Sequence, residues 1–304
     1  MDNTFWLTTS DDVEIFVKKW YSITKKPKAI IQLAHGMAEH IGRYDTFANY
    51  LTEQGFLVFG NDHRGHGRTG ERQGIQGYFA DENGFHKTAE DLYEVTKHIR
   101  QDDSETPIYI IGHSMGSFLV RNYIQAHSDI ISGAVLSGTG FYPKAVSLAG
   151  KGIASMLPPK QASKLMNHLA FSSNNHKIKE RKNGFEWLTR DESILETYMN
   201  DPFTGFIPTG RFFYDLLTGI LTMQSKKQNK YIRKDLPLLL ISGDADPIGN
   251  YAKGVWKTAN LYKKSGLQNV SVMLYTDGRH ELLNEINREE VFESIIKWIN
   301  HQLL

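Results

Sequence analysis

This chain of 304 residues contains no cysteine. That absence excludes disulfides, a cysteine nucleophile and thiolate-bound metals. An excess of either charge is also missing: 35 basic residues face 34 acidic ones, a formal net charge of +1. Such a balance leaves no electrostatic footprint for nucleic acid or a strongly acidic partner. No apolar run approaches the roughly 18 residues that a membrane span needs. The N-terminal stretch MDNTFWLTTSDDVEIF has neither a basic n-region nor a continuous apolar h-region, so no signal peptide is expected. A cytoplasmic location is the simplest expectation, with peripheral contact at a membrane surface left open. Oligomeric state is not legible at this stage.

What is present is an alternation. Apolar, β-branched runs at Ala29–Leu33, Phe56–Phe59, Ile108–Ile111, Ala134–Leu136, Leu238–Ile241 and Val270–Tyr275 read as strands. Between and after them, Arg43–Gln54, Gly84–Gln101, Met115–His127, Tyr251–Lys264 and Glu285–His301 carry helical periodicity. This order predicts an α/β fold with a mostly parallel sheet covered on both faces. Thr4–Thr8 and Val13–Trp20 read as an antiparallel start, turning at Ser10–Asp12. From about Gly140 to Lys234 the strands stop. Val146, Ala149, Ile153 and Met156 share one helical face, as do Ala162, Leu165, Met166 and Leu169, and Phe213, Leu216, Leu217 and Ile220. Pro158–Pro159, Asn174–Asn175, Pro202 and Pro208 punctuate this stretch. The expected organisation is a core over 1–139 and 236–304 with a helical insertion over 140–235.

Chemistry enters at Gly112-His113-Ser114-Met115-Gly116, a G-x-S-x-G between an apolar strand and a helical pattern. So sharp a turn strains the serine backbone, and Gly112 and Gly116 keep side chains away from the neighbouring elements. The hydroxyl then stands at the C-terminal edge of the sheet, where α/β folds bind ligands. A serine needs a base, and the base an orienting acid. In this kind of fold both follow later strands, in the order Ser, acid, His. LPLLLISGDADPIG supplies Asp244 and Asp246; VSVMLYTDGRHELL supplies His280. Asp246 is favoured, since Asp244 sits nearer the strand end and suits turn capping, while Asp277 shapes the loop before His280. His113 is disfavoured as the base because neighbours on a sharp turn point apart. The oxyanion calls for two backbone donors: the Met115 N–H, and the Met37 N–H after the close-approach glycine Gly36.

HGMAEHIGRY (35–44), NDHRGHGRT (61–69), GHSMGS (112–117), GDADP (243–247) and DGRHELLNE (277–285) together resemble the α/β-hydrolase superfamily. More narrowly they are similar to its monoacylglycerol lipase and lysophospholipase group. The resemblance implies hydrolysis of carboxylic esters of glycerol-linked acyl chains through an acyl-enzyme, with no cofactor. It implies Ser114 as nucleophile, Asp246 as acid at the fourth position of G-x-x-D, and His280 as base. Met37 and Met115 become oxyanion donors, and the insertion occupies the place of the group's lid or cap. A small-molecule acyl ester is the expected partner, with transient contact of the cap at a membrane surface.

Other motifs compete. Gly65–Gly70 spells G-x-G-x-x-G, but Asp62-His63-Arg64 separate it from the strand and ERQGIQGYF lacks helical character, against a dinucleotide site. His35, His40, His63 and His66 show no metal-ligand spacing and are expected to pack loops. An aminopeptidase of the same fold, resembling proline iminopeptidase, needs an acid for the substrate's amino group; Glu186, Asp191, Glu192 and Glu196 are the candidates. A non-catalytic binding protein on this scaffold is the third reading, against which stands the retention of all three triad residues.

Overall fold

The aliphatic runs become strands because apolar cover lies on both of their faces. The computed structural model describes residues 2–21, 26–179 and 181–304. Its sheet comprises β1 (Asp2–Thr8), β2 (Glu14–Trp20), β3 (Ile30–Ala34), β4 (Leu57–Asn61), β5 (Ile108–His113), β6 (Gly133–Ser137), β7 (Leu238–Gly243) and β8 (Val270–Tyr275). They lie in the order β1-β2-β4-β3-β5-β6-β7-β8. β2 pairs antiparallel with β1 and β4; every other pairing is parallel. The helices of the core are α1 (Asp45–Glu53), α2 (Gly67–Gln73), α3 (Gly84–Asp102) and α4 (Met115–His127). Between β6 and β7 lie α5 (Lys144–Ser155), α6 (Lys164–Phe171), α7 (Glu192–Asn200), α8 (Gly210–Met223) and α9 (Lys226–Asn229); α10 (Lys253–Lys264) and α11 (Arg288–Gln302) complete the chain.

Along β5 the period of two divides the core. Ile108 and Ile110 belong to the layer built with α3, α4 and α10, whereas Tyr109 and Ile111 belong to the layer of α1 and α11. α8 joins the first layer through Phe212, Phe213, Ile220 and Met223. After β3 the chain goes to one side, to β4; after β4 it returns to the other side of β3, to β5. A crevice opens at such a reversal, above the strand ends. The loop after β3 and the turn after β5 both emerge there.

Strand ends fall within two residues of expectation. Three local differences have physical reasons. Residues Gly67–Gln73 are helical, contrary to the expectation for ERQGIQGYF: Asp62 Oδ2 accepts the Arg68 N–H at 2.8 Å and Gln73 Oε1 the Gly65 N–H at 2.7 Å. The acceptor for the first turn thus comes from upstream, where a cap search at the helix start does not look. α10 begins at Lys253 rather than Tyr251, because Asn250, Tyr251 and Ala252 have φ of 47°, 53° and 69°. α11 begins at Arg288, since Leu282–Asn284 form a separate 3₁₀ turn.

Candidate active site

Ser114 occupies the turn from β5 into α4 with φ 51° and ψ −119°. This is left-handed territory for a residue with a side chain, a strain that the surroundings must over-determine. They do so by crowding. A Cβ on Gly112 would stand 2.5 Å from Gly116 O, and one on Gly116 2.1 Å from Ala34 O. The Ser114 N–H donates to Ser137 O at 2.9 Å, fixing the turn to β6.

The His280 loop leaves β8 and returns over this turn. Ser114 Oγ lies 2.8 Å from His280 Nε2, and both Asp246 carboxylate oxygens lie 3.0 Å from His280 Nδ1. The Nδ1–H therefore donates to Asp246, which leaves Nε2 as acceptor for the Ser114 hydroxyl. Asp246 is wholly buried and also accepts the Ile248 N–H at 2.8 Å. Burial opposes a charge on His280, but the Asp246 charge and hydrogen bond outweigh it and hold the imidazole above its ordinary pKa of 6.5. Asp244 does not join this group; its Oδ1 accepts the Asp277 N–H at 2.8 Å and ties the loop after β7 to the loop after β8.

Gly36 presses on Ser114: a Cβ there would sit 3.3 Å from Ser114 Cβ. Met37 follows it, and Gly36, Met37 and Met115 all line one cavity with Ser114 and His280. Met115 opens α4, so its N–H is among those a helix leaves unpaired. The cavity measures about 1100 Å³. Its walls are mainly apolar, with Phe118 from the core and Ile153, Met166, Leu169, Phe213 and Leu217 from the helices between β6 and β7. Near Ser114 it turns polar, at Glu39, His113, Tyr198 and Glu281.

With this geometry established, comparison with known proteins is decisive at the level of family. The family described as "Serine aminopeptidase, S33" matches residues 25–287. The chain belongs to this family. It is 28% identical over 301 residues to monoglyceride lipase of Rattus norvegicus, covering 98% of this chain and 90% of that protein. It is 28% identical over 275 residues to monoacylglycerol lipase of Mycolicibacterium smegmatis, covering 90% and 88%. A thermostable carboxyl esterase of Bacillus coagulans, solved with glycerol, superposes with a TM-score of 0.92 at 28% identity, covering 100% and 99%. The fold is thus that of the α/β-hydrolases.

In this S33 chain, several residues around Ser114 and His280 hold places that the sequence alone does not reveal. Glu39 accepts from the Gly36 N–H, from Arg43, and from the Tyr44 hydroxyl at 2.9 Å. Arg43 also grips Glu281 with two bonds of 2.8 and 2.6 Å. Burial raises the Glu39 pKa, whereas for Glu281 burial is outweighed by Arg43, which holds that carboxyl well below its usual range. The signal was present in HGMAEHIGRY and in the residue after His280. A purely local reading could not pair residues 238 positions apart. His113 is not the partner of the Ser114 hydroxyl; its ring packs 4.7 Å from that of His280, and burial drives its pKa down to about 3.

His35, His40, His63 and His66 pack loops. His35 Nδ1–H donates to Gly36 O at 2.8 Å while its Nε2 accepts the His63 N–H at 3.0 Å. His63 Nε2–H returns to His35 O at 3.1 Å, and His66 Nδ1–H donates to Arg64 O at 2.9 Å. His40 bonds Asp201 at 2.9 Å. The four acids suggested for an amino-terminus site do not line the cavity. Glu186 accepts the backbone N–H groups of 182–184, Asp191 caps α7, and Glu192 and Glu196 are exposed.

Proposed function

We propose that this chain is a serine hydrolase that cleaves carboxylic esters of acylglycerol or lysophospholipid type through an acyl-enzyme. The observation that carries this reading is the unbroken line Ser114–His280–Asp246, at 2.8 and 3.0 Å, opening into a large apolar cavity. Ser114 Oγ attacks the acyl carbonyl as His280 Nε2 takes its proton. Asp246 holds the ring in the required tautomer and stabilises the imidazolium. The Met37 and Met115 N–H groups hold the oxyanion. His280 then protonates the leaving alcohol, and water enters by the same route to release the acid.

The cavity volume and its apolar walls suit an acyl chain, and the polar end beside Ser114 suits a polyol head group. Residues 140–235 serve as a cap, the core being 1–139 and 236–304; Met156 and Leu165, 78% and 51% exposed, are its points of transient contact with a lipid surface. Among the described residues no helix is long and apolar enough to cross a membrane.

The family's description favours a second reading, an aminopeptidase. The carboxylates that do line the cavity, Glu39 and Glu281, are both engaged by Arg43, which leaves an incoming ammonium poorly served. A panel of esters of graded chain length, with monoacylglycerols, lysophospholipids and aminoacyl-anilides, separates the readings. Medium or long acyl esters should lead; preference for the anilides would reverse the assignment.

A further inference from the structure

The stretch Glu186–Thr189, between α6 and α7, runs beside the loop that carries His280. The His280 N–H donates to Trp187 O at 3.2 Å and the Glu281 N–H to Leu188 O at 2.7 Å. Arg279 Nη1 donates to Glu186 O at 2.7 Å and to Thr189 O at 3.0 Å. These bonds fix the backbone of Trp187 relative to His280. Its side chain is fixed as well: the indole lies 5.0 Å from the imidazole, centroid to centroid, at 35° between planes. Phe171 stacks on the indole at 5.8 Å and 19°, while the backbone N–H of Trp187 donates to Asn175 Oδ1 at 2.8 Å. An aromatic face within about 6 Å of a cation attracts it, and indole does so best.

We infer that Trp187 is a positioning residue for the base: its π face stabilises the imidazolium that His280 becomes when it takes the Ser114 proton, so the helical insertion supplies part of the catalytic electrostatics. This rests on the reading of His280 as general base. The proton count is unchanged: it passes from Ser114 Oγ to His280 Nε2 and on to the leaving oxygen, and Trp187 exchanges none. Other groups face the same imidazole. Asp246 comes from the loop after β7, His113 from the end of β5, Glu39 from the loop after β3 and Glu281 from the histidine's own loop; Arg43 stands behind both glutamates. The carboxylates favour the cation. His113, driven neutral by burial, packs its own ring 4.7 Å from the imidazole.

The test is the acid limb of kcat/KM in Trp187→Leu and Trp187→Phe, measured on a soluble short-chain ester. That limb reports the free enzyme's base. If the π face stabilises the imidazolium, Trp187→Leu moves the limb to lower pH by about half to one pH unit. Trp187→Phe, with a weaker face, moves it down by less. A residue that only shields His280 from water acts in the opposite direction, since hydrating the imidazolium raises its pKa. An unmoved or upward-shifted limb in both variants therefore overturns the inference. Should Trp187→Leu fail to fold, as its unfolding midpoint would show, Trp187→Phe decides by the same sign. Ser114→Ala and His280→Gln separate the two claims: retained turnover in either removes the triad reading itself. Loss of turnover in both with an unmoved limb in the Trp187 variants removes only the role of Trp187.

Discussion

At the scale of single residues, two aspartates two positions apart make opposite predictions. Asp246 contacts the imidazole with both oxygens; Asp244 only joins two loops. Asp246→Asn presents an amide where the Nδ1–H needs an acceptor and selects the wrong tautomer. A loss in kcat of about 10⁴-fold is expected. Asp244→Asn keeps an acceptor for the Asp277 N–H and should stay within about threefold of the parent. Steady-state kinetics on one ester checks both. The pH profile follows from His280. The base must be neutral to act, and its pKa is raised above 6.5 by Asp246 against the opposing effect of burial. Activity is therefore full above that raised value and falls as pH drops through it. The acid limb of kcat/KM should lie on the alkaline side of 6.5, and a limb well below it would contradict the charge pairing.

At the scale of elements, the turn between β5 and α4 carries the sharpest steric demand. A methyl at Gly116 would meet the backbone atom Ala34 O at 2.1 Å, with no flexible side chain there to yield. Gly116→Ala should displace α4 from β3, lowering stability by about 2 kcal/mol or more and removing most activity, as denaturant unfolding and turnover would show. The need for this glycine was legible in G-x-S-x-G because the motif itself fixes a turn that presses α4 against a neighbouring strand, although the atom met, Ala34 O, lies far away in sequence. The parallel strands were legible for a related reason: burial on both faces leaves continuous aliphatic runs such as Leu238–Ile241. What escaped depends on distant partners. The helix at Gly67–Gln73 takes its first-turn acceptor from Asp62, and the Glu39–Arg43–Glu281 cluster closes across the whole chain. Trp187 sat unremarked in the insertion, since no periodicity says that its ring rests on the histidine.

At the scale of the whole molecule, the near balance of charge provides no large net-charge field to gather substrate. Apolar contact remains. Met156 and Leu165 are exposed in the helical insertion, so a Met156→Ser, Leu165→Ser double variant should lose several-fold activity on emulsified or vesicle-borne acylglycerol while keeping its rate on a soluble short ester. Equal loss on both substrates would place these residues in folding rather than surface contact. Under the proposed function, core and insertion act together: the core would deliver nucleophile, base, acid and oxyanion donors, and the insertion the acyl walls. The central claim is the covalent intermediate on Ser114, and the most direct measurement is rapid acid quenching during turnover of an acyl ester, followed by peptide mass analysis. The account predicts one acyl group on the peptide containing Ser114, and neither adduct nor turnover in Ser114→Ala. Turnover that persists in Ser114→Ala, or an acyl group on another residue, would contradict it.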